Sequence, residues 1–462
     1  MKRILILIIC LCPLLLYGQN ILSTLADMHS VVRGDTWESI AASRGISVAQ
    51  LQAANPDVKG SKLKKGTLLI MPKPSTSLPT GEESRQDASE EPTHPLEKTV
   101  ESSLIRTSLS DLKVGVLLPF GEKKMVEFYR GLLMAADSVR QSGVNLDIYA
   151  WDCGTTAAKT DSLLPRLKGM DVLFGPTSAT QIPTVAELCR EQGIRLVLPF
   201  SSGQPLLDYP LVYNAIASNA AFYDAAAKKL VSFYADNNFV IVHSGKTDIK
   251  GKALSEALTQ RLAQQSGAPK ILSLEGDDFA YESAFNQFRD NMIVIDDSSI
   301  PSLNILVARL KDFRQDHPQY RISLLGYTEW QDETQRLLGD FFTLDTYIIS
   351  PYYYNVLDER VKHFERSYAK NFRRYIAPGS PRYAVLGFDL GYYFLSGISS
   401  FGDTFEQMQG TLRQEPFQSW FRFERSASQA SLTSAQASGL SFTNNFVEFI
   451  HFTLESKIEL IR

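Results

Sequence analysis

The chain is poor in cysteine, with four in 462 residues, and two of these, Cys10 and Cys12, lie inside an N-terminal apolar run. The two that remain, Cys153 and Cys189, permit one bridge in an oxidising compartment, or two buried thiols, and exclude a disulfide-built scaffold. Histidine is also scarce: His29, His94, His243, His317, His363 and His451 are scattered and show no metal-ligand spacing. There is no G-x-S-x-G, no P-loop and no Cys–His pair at a recognisable offset. The adjacent carboxylates Asp296–Asp297 and Asp277–Asp278 would point to opposite sides of an extended backbone, so they are expected as solvated turns, not acid/base pairs. Asp152, after a strand, is likewise expected as a turn residue. No catalytic residue, metal site or cofactor is expected. The net charge of −4 includes no basic block, which argues against nucleic acid as a partner.

Long apolar runs are almost missing as well. The one candidate, Ile4 to Leu16, follows Lys2–Arg3 and precedes Gly18, a pattern expected of a signal peptide over residues 1–18. It is shorter than the roughly 20 residues a spanning helix needs, so no transmembrane segment is expected after cleavage. A lipid-anchored start at Cys10 or Cys12 would leave a very short apolar region before it. The expected location is therefore the periplasm or cell envelope. The length exceeds what one core usually holds, so more than one domain is expected.

Residues 28–74 read as a compact module of strand, two short helices and strand. The first helix is expected to open at Asp35-Thr36-Trp37-Glu38, with Asp35 capping and Glu38 reaching back. The second opens at Ser47-Val48-Ala49-Gln50 and stops at Asn55-Pro56. Leu68 to Met71 supplies a strand to pair with Ser30-Val31-Val32. The module resembles the LysM domain at Val31, Gly34-Asp35-Thr36, Ser39-Ile40-Ala41, Leu51, Asn55, and Leu63 to Gly66 running to Leu69-Ile70-Met71-Pro72. That resemblance implies binding to N-acetylglucosamine chains of peptidoglycan or chitin. The implied groove lies between Gly34, Asp35, Thr36 and Trp37 on one side and Asn55, Pro56 and Asp57 on the other. Trp37 stands where the family has leucine; it offers either a flat face to a sugar or a filling for the small core.

Residues 75–110 are rich in Pro, Ser, Thr and Glu and nearly devoid of apolar side chains, the composition of a disordered linker. A flexible chain of that length spans roughly 35 Å on average. From Leu112 onward, strand and helix alternate. Val114–Leu118, Leu146–Ala150, Asp171–Phe174 and Arg195–Leu198 are apolar strands separated by helices at 128–139, 160–168 and 182–192. A second series begins at Phe239–His243 and continues through Met292–Ile295, a helix at 304–314 and Ile322–Leu325. The fold class is α/β, with parallel sheets covered on both faces.

This part is similar to the type I periplasmic binding protein fold of the branched-chain-amino-acid receptor class. The similarity is carried by Val114–Leu118, Tyr129-Arg130-Gly131, Tyr149 to Asp152, Gly175-Pro176-Thr177-Ser178, Gly193-Ile194 to Ser202 and Gly387-Phe388-Asp389. It implies two lobes, one about 111–218 and 350–430, the other about 219–349 and 431–462, with a ligand cleft between them. The implied cleft residues are Ser178, Thr180, Ser201 and Ser202 on the first lobe, with Asp248, Asp297 and Glu329 on the second. Each hydroxyl has a helix N-cap as its ordinary alternative. Tyr352, first of the run Tyr352-Tyr353-Tyr354, would close over a ligand at the crossing between lobes or else pack the hinge. Ala179 falls where the family places a serine, and Asp248 where it places a tyrosine, which weakens the case for an amino acid. The function these readings imply is non-catalytic: a peptidoglycan-anchored receptor that closes on a small solute or docks an envelope protein. The alternatives are the substrate-binding component of an amino-acid-type ABC importer and a scaffold that activates wall-synthesis enzymes.

Overall fold

The computed structural model describes residues 28–31, 36–43, 47–53, 55, 58, 63, 68–70, 108–200, 209–265, 267–425 and 440–462. The expected signal peptide and nearly all of the expected linker lie outside these residues. The chain divides into two units, Met1–Val100 and Glu101–Arg462.

In the first unit, β1 (Met28–Ser30) and β2 (Leu68–Ile70) form an antiparallel pair, with α1 (Trp37–Ser43) and α2 (Val48–Ala53) between them in sequence. The register joins Met28 to Ile70 and Ser30 to Leu68, so the first strand starts two residues earlier than the sequence pattern suggested. Val31, Trp37, Ile40, Leu51 and Leu69 form the core. Helix α1 is closed by a reciprocal cap one residue later than expected: the Ser39 N–H donates to Thr36 Oγ1 (3.1 Å), and the Thr36 N–H donates to Ser39 Oγ (2.9 Å). The reason is Trp37, which begins the helix and turns inward at 2% exposure, leaving Thr36 as the last residue before it.

The second unit runs β3 (Asp111–Leu118), α3 (Lys123–Arg140), β4 (Asn145–Asp152), α4 (Ala157–Asp161), α5 (Leu164–Leu167), β5 (Val172–Phe174), α6 (Ile182–Gln192), β6 (Arg195–Leu198) and β7 (Val212–Asn214) in its first lobe. It crosses to a second lobe of α7 (Asn219–Phe233), β8 (Asn238–His243), α8 (Ile249–Ala263), β9 (Lys270–Ser273), α9 (Asp278–Ala284), β10 (Asn291–Ile295), α10 (Ile300–Asp316), β11 (Ile322–Gly326), α11 (Thr334–Thr343) and β12 (Thr346–Ser350). It returns for α12 (Glu359–Phe372), α13 (Tyr383–Phe401), α14 (Phe405–Met408), β13 (Phe423–Arg425) and β14 (Phe442–Asn444). A third crossing leads to β15 (Glu448–Phe452) and β16 (Ile458–Ile461).

Each lobe carries a seven-stranded sheet, ordered β13-β14-β7-β6-β5-β3-β4 in the first and β16-β15-β12-β11-β10-β8-β9 in the second. Most neighbouring strands are parallel, but β13, β15 and β16 run antiparallel at the edges. The late strand β14 joins the first lobe, pairing in parallel with β7, although the sequence reading assigned 431–462 to the second. The chain leaves the first lobe only after Asn444, where β14 ends.

The first-lobe strands β3, β5 and β6 are buried along nearly their whole length because helices cover both faces of the sheet there. Helices α3 and α13 pack on one face with their backbones nearly touching. A Cβ on Gly131 would lie 1.8 Å from the Ala384 carbonyl oxygen, and one on Gly387 would lie 2.0 Å from that of Phe128. Only glycine fits these two crossings, and α13 in turn carries the first-lobe wall of the site.

Candidate functional site

The three crossings bring the ends of β7, β12 and β14 together. Beyond them, Ala215–Ala217, Pro351–Tyr352 and Phe446 line a cavity of about 340 Å³, within the range of small-molecule sites. The second lobe adds Phe222 and Tyr223 of α7, Lys250 of α8, and Thr328, Glu329 and Asp332 beyond β11. The first lobe adds Ser380, Pro381, Leu386, Ser419 and Phe421. The lining is dominated by apolar and aromatic groups.

Local structure places each polar side chain. Asp248 caps α8, accepting from the Gly251 N–H (2.6 Å), and its other oxygen accepts from the Ser298 N–H (3.1 Å). A Cβ on Gly251 would lie 1.9 Å from the Asp296 carbonyl oxygen, so the start of α8 is pressed against the end of β10. That close approach fixes Lys250 at the cavity wall, where it forms an ion pair with Glu329. Burial lowers the pKa of the Lys250 ammonium. The second Glu329 oxygen, Oε2, is shielded from solvent and has no hydrogen-bond partner. Thr328 Oγ1 donates to the Ile349 carbonyl (2.9 Å), and Gln331 Nε2 donates to Ser350 Oγ (2.8 Å). These bonds tie the Glu329 turn to the crossing that carries Tyr352. Burial pushes the Tyr352 phenol well above its ordinary pKa. Between the lobes, Ser380 Oγ donates to Asp332 Oδ1 (2.6 Å).

Behind the first-lobe wall, Asp389 of α13 accepts three backbone N–H bonds, from Phe417 (2.9 Å), Gln418 (2.9 Å) and Ser419 (2.8 Å). Those residues carry the loop that lines the cavity through Ser419 and pairs with Tyr352. Burial pushes the Asp389 carboxyl up to about 7 against the opposing effect of the three N–H groups. A second cavity of about 240 Å³ lies beyond Tyr352 and Ser380, which line both.

Of the residues singled out from the sequence, Glu329 and Tyr352 line the hinge cavity. Asp248 and Asp297 do not. Asp248 is a helix cap, and Asp297 accepts from the Ser299 N–H (3.0 Å) and Ser302 Oγ (2.6 Å) at the start of α10. Asp296 and Asp297 are both buried, so the expectation of solvated turns is corrected: Asp296 accepts from Ser244 Oγ (2.8 Å) and Thr247 Oγ1 (2.7 Å), holding the turn after β8. Ser178 and Thr180 bond each other (2.9 Å) in the turn before α6. Ser201 and Ser202 lie outside the described residues, as do Gly34, Asp35, Pro56 and Asp57 of the small module. Trp37 fills the module's core and presents no face to a sugar. Asn55 is buried, with Nδ2 donating to the Leu51 carbonyl (2.8 Å) at the end of α2. Cys153 and Cys189 are free and packed in one apolar cluster, where burial pushes the thiols up to about 11 and about 12. Lys250, Asp332 and Ser380 were not anticipated. Lys250 sits two residues past the Asp248 cap, a usable signal, whereas nothing near Ser380 in the sequence marks it.

A family profile described as the LysM domain matches residues 29–72. Residues 29–72 are a LysM domain. The Glu101–Arg462 unit has the fold of type I periplasmic binding proteins. A solved structure from Rhodospirillum rubrum, described as a putative branched-chain amino acid ABC transporter, is 13% identical with a TM-score of 0.54, covering 76% of this chain and 100% of its own. An ABC transporter substrate-binding protein from Desulfitobacterium hafniense, in complex with Leu, is 15% identical with a TM-score of 0.44 over the same shares. Comparison with curated proteins found no match. Among the described residues, no group of three or more His, Cys, Asp or Glu could hold a metal ion, and no helix is long and apolar enough to cross a membrane.

Proposed function

We propose that this chain is an exported, non-catalytic binding protein. Its LysM domain retains it on peptidoglycan through the loops at Gly34–Thr36 and Asn55–Asp57, and its two-lobed unit closes on a small solute at the hinge. The observation that carries the reading is the cavity of about 340 Å³ built from all three crossings and both lobes. A solute there touches the segments that must bend when the lobes move, so its binding energy acts on the open–closed equilibrium. A single LysM domain engages few sugar atoms and binds weakly, which suits retention without permanent attachment.

The reading is tested by native mass spectrometry of the full chain purified from its own cells, beside Ala217→Trp, which fills the cavity. A retained mass on the wild type that is absent from the variant supports it. An unliganded mass in both, with no thermal shift when cell metabolite fractions are added, contradicts it.

A further inference from the structure

Among the described residues, the hinge cavity is lined by two carboxylates, Glu329 and Asp332, and by a single ammonium, that of Lys250. One negative charge is therefore in excess. Both acids stand on the short 3-10 helix Thr328–Glu333, three residues apart. At that spacing the side chains of a 3-10 helix eclipse, so the two carboxyls leave the turn on one face. The turn is pinned from within, because Trp330 is fully buried and its Nε1 donates to the Ser298 carbonyl (3.0 Å).

Neither acid is fully used by the chain. Lys250 reaches Oε1 of Glu329, while Oε2, shielded from solvent, has no donor. A carboxylate oxygen in that state carries a desolvation cost that a new N–H donor relieves. Asp332, exposed at the mouth, has the neutral Ser380 hydroxyl as its partner among the described residues. An ammonium or guanidinium group brings several N–H donors together with the opposite charge, whereas a hydroxyl brings one donor and no charge. Such a cation can bond Oε2 while Lys250 keeps Oε1, so its binding displaces no existing pair. A carboxylate would add to the charge already in excess and compete with Glu329 for Lys250. Phe222, Tyr223, Phe421 and Phe446 supply ring faces, which favour both an apolar body and a cation. We infer that the cavity takes an organic solute of net positive charge, an amine or guanidine on an apolar or aromatic body, whose N–H groups bond Glu329 and Asp332. This rests on the hinge cavity being the binding site, as proposed above.

Calorimetric titration of the full chain with 2-phenylethylamine, 2-phenylethanol, 3-phenylpropanoate and L-phenylalanine tests it. The wild type binds the amine at least about tenfold tighter than any of the others, a difference of about 1.4 kcal/mol. Added salt weakens the amine and leaves the alcohol unchanged, a readout that needs no variant. Glu329→Gln removes the shielded acid and weakens the amine at least about tenfold, the alcohol less than about twofold. Asp332→Asn removes the exposed, better-screened acid and weakens the amine less. In Glu329→Gln/Asp332→Asn the excess charge turns positive, and 3-phenylpropanoate binds more tightly than the amine. A wild type that prefers the alcohol, the acid or L-phenylalanine overturns this inference and leaves the hinge site standing. So does an amine preference that neither salt nor the double substitution reduces. Binding that survives Ala217→Trp unchanged places the probes elsewhere and overturns the hinge site and this inference together. No binding of any probe overturns this inference alone, since the retained mass decides the hinge site separately.

Discussion

Asp389 accepts three backbone N–H groups from the loop behind the hinge cavity, yet burial holds its carboxyl up to about 7 against an ordinary 3.8. The sign follows from linkage. With the folded value above the unfolded one, folding takes up a proton between about pH 4 and pH 7. The contribution of Asp389 to stability is therefore full below that window, falls as pH rises through it and is constant above. Thermal melts at pH 5 and pH 7.5 should show wild type losing more stability than Asp389→Asn; equal losses would mean that the carboxylate stays ionised throughout. The sequence flagged Gly387-Phe388-Asp389 as a carrier of resemblance, without revealing what the carboxyl holds. Glu329 and Tyr352 were legible because each follows a strand that ends at the cleft. Ser178, Thr180, Asp248 and Asp297 follow strands too, but in the structure they serve the turns they stand in. A hydroxyl or carboxylate at a strand–helix turn looks the same in sequence whether it caps the helix or faces a ligand.

At the scale of elements, α3 and α13 are held by backbone contact through Gly131 and Gly387. Gly387→Ala drives a methyl into the Phe128 carbonyl and should destabilise the first lobe by about 1–3 kcal/mol. A lowered thermal midpoint, with faster hydrogen exchange along α3 and α13, would show this; an unchanged midpoint would mean the helices slide apart at little cost. Apolar strands such as Val114–Leu118 and helices such as Ile182–Gln192 were readable because length and periodicity agree. The strands β13, β14 and β16 were not. Phe423–Arg425 and Phe442–Asn444 are three residues each, and β14 gains its parallel partner β7 from far back in the chain, while Ile458–Ile461 is a short, largely exposed edge strand that pairs with β15 just before it.

At the scale of the whole large unit, the two sheets are joined by three crossings beside the cavity, and the closure proposed above would bend those segments. The Ser380–Asp332 hydrogen bond spans the lobes at the cavity mouth, and a bond of this kind contributes about 0.5–1.5 kcal/mol. Ser380→Ala should therefore weaken binding of the hinge-cavity solute by roughly two- to tenfold. Small-angle scattering should show a smaller compaction on ligand addition than in the wild type. Identical affinity and compaction would mean that the bond plays no part in closure. The existence of two lobes was legible from two βα series in one chain, but the third crossing at Asn445–Val447 was not, because no composition change marks it.

Joining a glycan-binding domain to a solute-binding unit is the central claim, and co-sedimentation with purified insoluble peptidoglycan tests it most directly. The full chain should pellet with the wall material, while a chain lacking residues 28–74 stays in the supernatant and still retains the solute seen by native mass spectrometry. Equal pelleting of both chains, or of neither, would contradict the account.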